Sequence, residues 1–122
     1  MSLIDDPSTR LLGALMDAAA LRARVLSANV ANQNTPGYTR QVVRFEELLR
    51  EAAERGRSAD ELARVAPRVE ADLTTPARAD GNNVDLELEM SASRQNQLLY
   101  EMVLAMRASR SELIRSAIES GR

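Results

Sequence analysis

Residues 28–38 read ANVANQNTPGY, and this stretch decides where the chain leaves its first helix. It ends an alanine-rich pattern of helical spacing, in which Asn29 and Asn32 lie three residues apart and therefore share a face. Pro36 has no amide hydrogen and pushes the preceding residue toward extended geometry, and Pro followed by Gly is typical of a type II turn. The stretch therefore predicts a helix end and a sharp change of direction at Pro36-Gly37.

The segment before this turn has the pattern of an amphipathic helix. We expect a helix over residues 8–34, capped by the hydroxyl of Ser8 or Thr9 just after Pro7. Apolar residues recur at alternating spacings of three and four, which predicts a heptad-like seam that Asn32 continues. The predicted seam residues are Leu11, Ala14, Ala18, Leu21, Val25 and Ala28.

The segment between residues 35 and 84 reads as an irregular middle piece. Its predicted parts are a β-prone stretch at 41–43, a short helix at 45–55 ended by Gly56, a capping box at 58–61 that starts about two turns of helix, a short strand at 69–73 and a loop at 74–83. Asp80-Gly81 is a turn signal that could close a β-hairpin. The middle piece therefore carries a short helix and possibly a hairpin.

Residues 85–119 contain no Pro or Gly and are rich in Leu, Met, Glu, Arg and Ala, which predicts one long helix. The stripe expected to pack on the first helix is Leu88, Ala92, Leu99, Met102, Met106, Leu113 and Ala117, broken by Gln95 and Ser109. The predicted fold is mainly α, an antiparallel pair of long N- and C-terminal helices in a single domain over residues 1–122. Further apolar residues widen this face beyond what one partner helix covers, which predicts assembly with other chains.

Composition excludes several functions. The chain has 16 basic and 18 acidic residues, and its formal charge of −2 gives nucleic-acid binding no electrostatic support. All basic residues are arginine, and His and Cys are absent, so disulfides, thiol nucleophiles and histidine bases are excluded. We expect no catalytic site, no cofactor and no metal site. No apolar run reaches the roughly 18 residues of a membrane span, and the N-terminus lacks the basic start of a Sec signal peptide.

Two motifs resemble those of bacterial flagellar axial proteins, the rod, hook and hook-associated subunits. The pattern ANxANxxTPGY is matched by Ala28, Asn29, Ala31, Asn32, Thr35, Pro36, Gly37 and Tyr38. The segments DGNNVDLELEM and NQLLYEMVLAM, at residues 80–90 and 96–106, are similar to those of proximal rod subunits. Their matching residues are Asp80, Gly81, Asn82, Val84, Asp85, Asn96, Gln97 and Tyr100.

The resemblance implies a non-enzymatic subunit of the periplasmic rod, the shaft that transmits motor torque to the hook. It implies export through the flagellar type III apparatus without a cleaved signal peptide, self-association in a helical array, and contact with other rod subunits and export-gate or basal-body proteins. The motif asparagines would hydrogen-bond the turn and the adjoining helices, unless they only cap the first helix. A neighbouring proximal rod family and a helical adaptor or chaperone of the export system are the alternatives.

Overall fold

Two long antiparallel helices carry a small folded arm between them. The computed structural model describes residues 6–121; residues 1–5 and 122, including most of the N-terminal stretch on which the signal-peptide expectation rests, lie outside this range. The long helices are α1, Pro7–Ala31, and α4, Leu86–Ser120. The arm, residues 41–71, contains β1 (Gln41–Arg44), α2 (Glu46–Glu54), α3 (Ala59–Leu62) and β2 (Arg68–Ala71). The predicted fold class is confirmed.

Helix α1 differs from its prediction at both ends. Its N-cap is Asp6, whose Oδ1 accepts a hydrogen bond from the Thr9 amide across 2.7 Å, so the predicted hydroxyl cap is wrong. Pro7 suits the first helical position because its missing N–H would have no partner there. At the other end the helix stops at Ala31 and not at the predicted residue 34. The Asn32 side chain donates to the Ala28 carbonyl at this observed end.

The seam between α1 and α4 is partly different from the predicted one. Ala28 is exposed, and so are Leu88, Met102, Met106 and Leu113. The residues buried along the two helices are Ala18, Ala19, Leu26 and Asn29 on α1 and Glu89, Asn96 and Val103 on α4. On α4 these recur every seventh residue, and two of the three are polar. The predicted apolar stripe therefore lies beside the face of α4 that is actually buried.

The arm is built on a two-stranded antiparallel sheet in which Val42 is opposite Glu70 and Val43 opposite Val69. Both strands fall where the sequence predicts them, but α2 and α3 connect them. The expected antiparallel strand pair is therefore confirmed, but Asp80-Gly81 does not close it, because that turn lies in the loop before α4. Helix α3 is a single turn, shorter than predicted, although the Ser58 hydroxyl accepts from the Glu61 amide as a capping box requires.

The arm lies along α1 and is attached to it by apolar and ionic contacts. Phe45 is wholly buried and Val43 nearly so. Arg22 of α1 reaches Glu46 at the start of α2 across 2.6 Å, and Arg10 pairs with Asp60 of α3 across 2.8 Å. Within residues 6–121, no helix has the length and apolar content needed to cross a membrane.

Candidate functional site: the polar junction between the helix pair and the arm

The two sequence motifs, far apart in the chain, meet at the base of the arm. The Gly37 amide donates to the Asp80 carbonyl across 2.8 Å. The Asn82 side-chain amide donates to the carbonyls of Asn32 and Thr35, both at 2.8 Å, and Asn82 is completely buried. The loop before α4 is thus fastened to the end of α1. We call this region the polar junction; its buried or half-buried polar members are Asn29, Tyr38, Arg40, Asp72, Asn82, Asn83 and Glu89.

Two glycines, Gly37 and Gly81, allow the turn after α1 and the loop before α4 to come into backbone contact. Gly37 has φ +74°, as the predicted type II turn requires, and the Tyr38 amide closes that turn on the Thr35 carbonyl. Gly81 has φ +85°, and a Cβ there would lie 3.3 Å from the Gly37 Cα. Side chains are rare at such φ values, and at Gly81 one would also press on the opposing backbone.

Asn29 of α1 binds the backbone of β1 as a neighbouring strand would. Its Oδ1 accepts from the Gln41 amide at 2.9 Å, and its Nδ2 donates to the Gln41 carbonyl at 2.8 Å. The Tyr38 hydroxyl donates to the same Oδ1, and Nδ2 also reaches a carboxylate oxygen of Glu89. Asn29 therefore satisfies the edge of β1 at Gln41 and joins α1 to both the arm and α4.

Arg40 lies between two carboxylates from different elements. Its Nε donates to Glu89 of α4 and its Nη1 to Asp72, just after β2, both at 2.5 Å. All three side chains are less than a tenth exposed, and Glu89 is completely buried. Burial alone would lower the pKa of Arg40, but the hydrogen bonds and charges of Glu89 and Asp72 outweigh it and raise that pKa above its ordinary value.

Asp72 has a second set of partners that is independent of Arg40. The hydroxyls of Thr75 and Thr74 donate to its carboxylate at 2.6 and 2.7 Å, and the Thr74 amide donates at 2.8 Å. These bonds, with Arg40, hold the pKa of Asp72 well below its usual range. Burial and the nearby charge of Glu89 raise the pKa of Tyr38. Glu89 differs from Asp72, since within residues 6–121 its carboxylate accepts, besides the Arg40 bond, only one from the neutral side-chain amide of Asn29.

Asn83, a member of the junction, and the exposed Arg78 beside it hold the backbone of the segments that meet there. The Asn83 side chain accepts from the Arg40 amide at 2.6 Å and donates to the Asp72 carbonyl at 2.8 Å. The Arg78 guanidinium donates to the carbonyls of Gln33 and Val84, one on each side of the crossing. Every buried side-chain nitrogen and oxygen in residues 6–121 has a hydrogen-bond partner, so the junction is satisfied within the chain.

Of the other predicted motif residues, some are buried or bonded within the fold and others are exposed to solvent. Val84 is buried, Asp85 caps α4 by accepting from the Glu87 amide, and Asn96 donates to the Ala19 carbonyl across the helix seam. Ala28, Ala31, Thr35, Pro36 and Gln97 are exposed, and Tyr100 lies at the edge of a groove beside Ala19, Ala20 and Ala23. Residues 28–38 and 80–85 are therefore brought together, whereas Asn96, Gln97 and Tyr100 lie elsewhere on α4.

Sequence reasoning missed the charged part of the junction. Arg40, Asp72 and Glu89 come from three separate segments, and nothing in the local pattern pairs them. One available signal was the position of Glu89, seven residues before Asn96, which places both on one face of α4. Among residues 6–121, no group of three or more His, Cys, Asp or Glu is arranged to hold a metal ion.

Part of the sequence that forms this junction matches a known protein family. The family model described as "Flagella basal body rod protein" matches residues 12–39, which include the end of α1 and the turn. The class of protein to which this part of the chain is similar is therefore the rod protein of the flagellar basal body.

Relatives named flagellar basal body rod protein FlgB extend the match to nearly the whole chain. The Escherichia coli (strain K12) protein is 28% identical over 95% of this chain and 96% of its own length. The Borrelia hermsii protein is 30% identical over 86% of this chain and 90% of its own, and the Bacillus subtilis (strain 168) protein is 26% identical over the full length of both. The chain belongs to the FlgB family of flagellar basal-body rod proteins. The neighbouring rod family, FlgC, and an export adaptor are not favoured.

Proposed function

We propose that this protein is a structural subunit of the flagellar rod that adds to a helical array and helps transmit motor torque to the hook. Membership of the FlgB family supports the role of rod subunit. We infer assembly into a helical array from the apolar surface that remains uncovered along α4. A structural part needs such contact surfaces more than it needs a pocket.

The uncovered surface lies on both sides of the helix seam. Large apolar side chains that remain about half exposed or more include Leu98, Met102, Leu104, Met106, Leu113 and Ile118. With 3.6 residues per turn, Leu104 and Met106 fall on opposite flanks of the line through Glu89, Asn96 and Val103. Neighbours could therefore cover α4 from two sides, and contacts between different surfaces of successive copies generate an open helical array.

The proposal includes partners and location. We place the subunit in the periplasmic part of the rod, in contact with further rod subunits and with export-gate or basal-body proteins, after export through the flagellar apparatus. The role is non-enzymatic, with no nucleic-acid partner. The relatives are named as rod proteins, which agrees with a purely structural part.

We propose that the motif residues act through the junction and not through a ligand. Pro36 and Gly37 set the direction in which the chain leaves α1, while Asn29 and Asn82 tie that turn to the arm and to α4. Asn32 caps α1, so the capping interpretation applies to this one asparagine. The helix pair and the arm would then unfold as one domain.

Deletion of the gene in its own bacterium tests the function. The account predicts loss of swimming in soft agar, loss of assembled rods, and recovery of both with the wild-type gene on a plasmid. A deletion strain that swims normally would contradict it. A cytoplasmic adaptor would instead give a stable one-to-one complex with a client in cell extracts, and the rod fraction would lack this chain.

A further inference from the structure

The polar junction contains three buried charged side chains, which a pair of helices with a small arm does not need in order to fold. Arg40 contacts α4 through Glu89 and the end of β2 through Asp72, while its backbone amide is held by Asn83. We call Arg40, Asp72 and Glu89 the Arg40 clamp. We propose that this clamp sets the orientation of the arm relative to the helix pair, while Phe45 and the neighbouring apolar side chains supply the adhesion. This inference deepens the proposed function, since a rod subunit must present its arm in one direction.

Geometry separates orientation from adhesion. A guanidinium is a flat fork with fixed donor directions, so two carboxylates at Nε and Nη1 define how three segments are turned about one another. Apolar contacts such as that of Phe45 favour burial without fixing direction. Buried ion pairs often add little net stability relative to apolar replacements of similar shape. Their position at the base of the arm, between the arm and the helix pair, fits a positioning role.

The two carboxylates respond differently to loss of Arg40, and this difference makes the proposal testable. Asp72 keeps its bonds from Thr74 and Thr75. Among the described residues, Glu89 keeps only the neutral amide of Asn29, so its charge would stay buried without a cation. Converting Glu89 to Gln at the same time removes that charge and leaves the Asn29 bond possible. The double variant Arg40→Met with Glu89→Gln therefore removes the clamp, and the one carboxylate that stays buried, Asp72, keeps its bonds from Thr74 and Thr75.

Arg44, the last residue of β1 and four residues after Arg40, offers a matched control. It also pairs with two carboxylates, Glu47 at 2.8 Å and Glu70 at 3.4 Å, but both belong to the arm. Arg44→Met removes an arginine with two partners from β1 while the bonds of Arg40 to Asp72 and Glu89 remain. An effect specific to orientation should appear with the clamp variant and not with this one.

The chain contains no cysteine, so a spin label can be placed on each body of the purified full-length protein. Glu54→Cys at the end of α2 and Arg94→Cys on α4 are exposed positions, and electron-spin distance measurements report the distribution between them. We expect a narrow distribution in the parent and the Arg44→Met variant and a clearly broader one in the clamp variant. Amide exchange in β1 and β2 should rise about tenfold or more, the change for roughly 1.4 kcal/mol of local opening.

The helix content of the clamp variant, measured by circular dichroism, should stay at the parent value. A distribution as narrow as that of the parent would overturn the proposal, and so would equal broadening in Arg44→Met. Unfolding of the clamp variant would also overturn it, because the clamp would then be needed for the fold itself. These measurements use the monomer, so their failure leaves the rod assignment untouched, and a swimming deletion strain leaves the clamp untouched.

Discussion

The amide of Gly37 donates to the carbonyl of Asp80 across 2.8 Å, and Gly81 lies against Gly37 so closely that a Cβ would come within 3.3 Å of its Cα. These contacts join the turn after α1 to the loop before α4. The arm is therefore attached at a point where both of its connecting segments touch each other. Its base is a crossing of two segments of the chain and not a flexible linker.

Gly81→Ala should destabilise the protein more than Gly56→Ala. Both glycines have a positive φ, +85° and +76°, which costs an alanine about 1–2 kcal/mol in either place. Only at Gly81 does the new Cβ meet backbone, whereas at Gly56 nothing lies within 4 Å. Urea unfolding should show the larger loss for Gly81→Ala in a single transition. Equal losses would mean that the crossing can relax without cost.

Gly37→Val should destabilise the turn at the junction through backbone strain, and not through a steric clash of the new side chain. Gly37 has φ +74° and no neighbour that a Cβ would meet, and a β-branched residue tolerates this region poorly. We expect a loss of about 1–3 kcal/mol in urea unfolding and defective rods in the cell. A Gly37→Val strain that builds normal rods and swims at the parent rate would refute the role given to this turn.

Asn29→Ala should cost much more than Asn34→Ala. Loss of the Asn29 amide leaves the Gln41 amide and carbonyl and the Tyr38 hydroxyl without their partner, and each buried unpaired group costs about 1–3 kcal/mol. Asn34 is exposed in the turn, so its replacement should fall within about 0.5 kcal/mol of the parent. Thermal and urea unfolding of the two variants provide the comparison. A small effect at Asn29 would show that water or a backbone shift replaces its bonds.

Arg40→Met alone should be strongly destabilising, by about 3–5 kcal/mol, because the Glu89 charge stays buried without its cation. Adding Glu89→Gln should recover a large part of that loss. The coupling free energy from the double-mutant cycle, measured by urea unfolding, is the observable. Additive effects of the two changes would contradict a direct ionic contact between these residues.

The contact of Asp6, the N-cap of α1, with Arg110 of α4 should be sensitive to acid. The Thr9 amide and then the Arg110 guanidinium hydrogen-bond the Asp6 carboxylate, which lowers its pKa from 3.8 to about 2. Because the folded-state pKa lies below the unfolded value, the stabilisation is fully present above pH 3.8 and is lost as the pH falls through about 2. The Thr9 amide resonance should titrate near pH 2. Asp6→Asn should abolish that titration, whereas Asp17→Asn, on an exposed part of α1, should leave it unchanged.

The sequence predicts those elements whose formation is decided locally. Helix α4, the turn at Gly37 and the strand at Val43 follow from spacing and from Pro-Gly, and all are found. The seam was misplaced because Glu89, Asn96 and Asn29 put polar groups where an apolar stripe is expected. Arg40 and Asp72 look like ordinary surface charges in sequence, since their pairing depends on how distant segments fold together. The site could therefore be located by motif, but its charged centre could not.

The most direct test of the central claim is the composition and assembly of isolated basal bodies. A strain carrying the parent gene should yield rods that contain this chain, as measured by quantitative peptide mass spectrometry. Met102→Gln with Leu98→Gln, both on the exposed surface of α4, should leave the purified monomer folded but remove the chain from basal bodies and stop swimming. Arg94→Gln, an exposed polar change on the same helix, should leave both unchanged. Basal bodies that lack the parent chain in a swimming strain, or that retain the α4 variant at the parent level, would contradict the account.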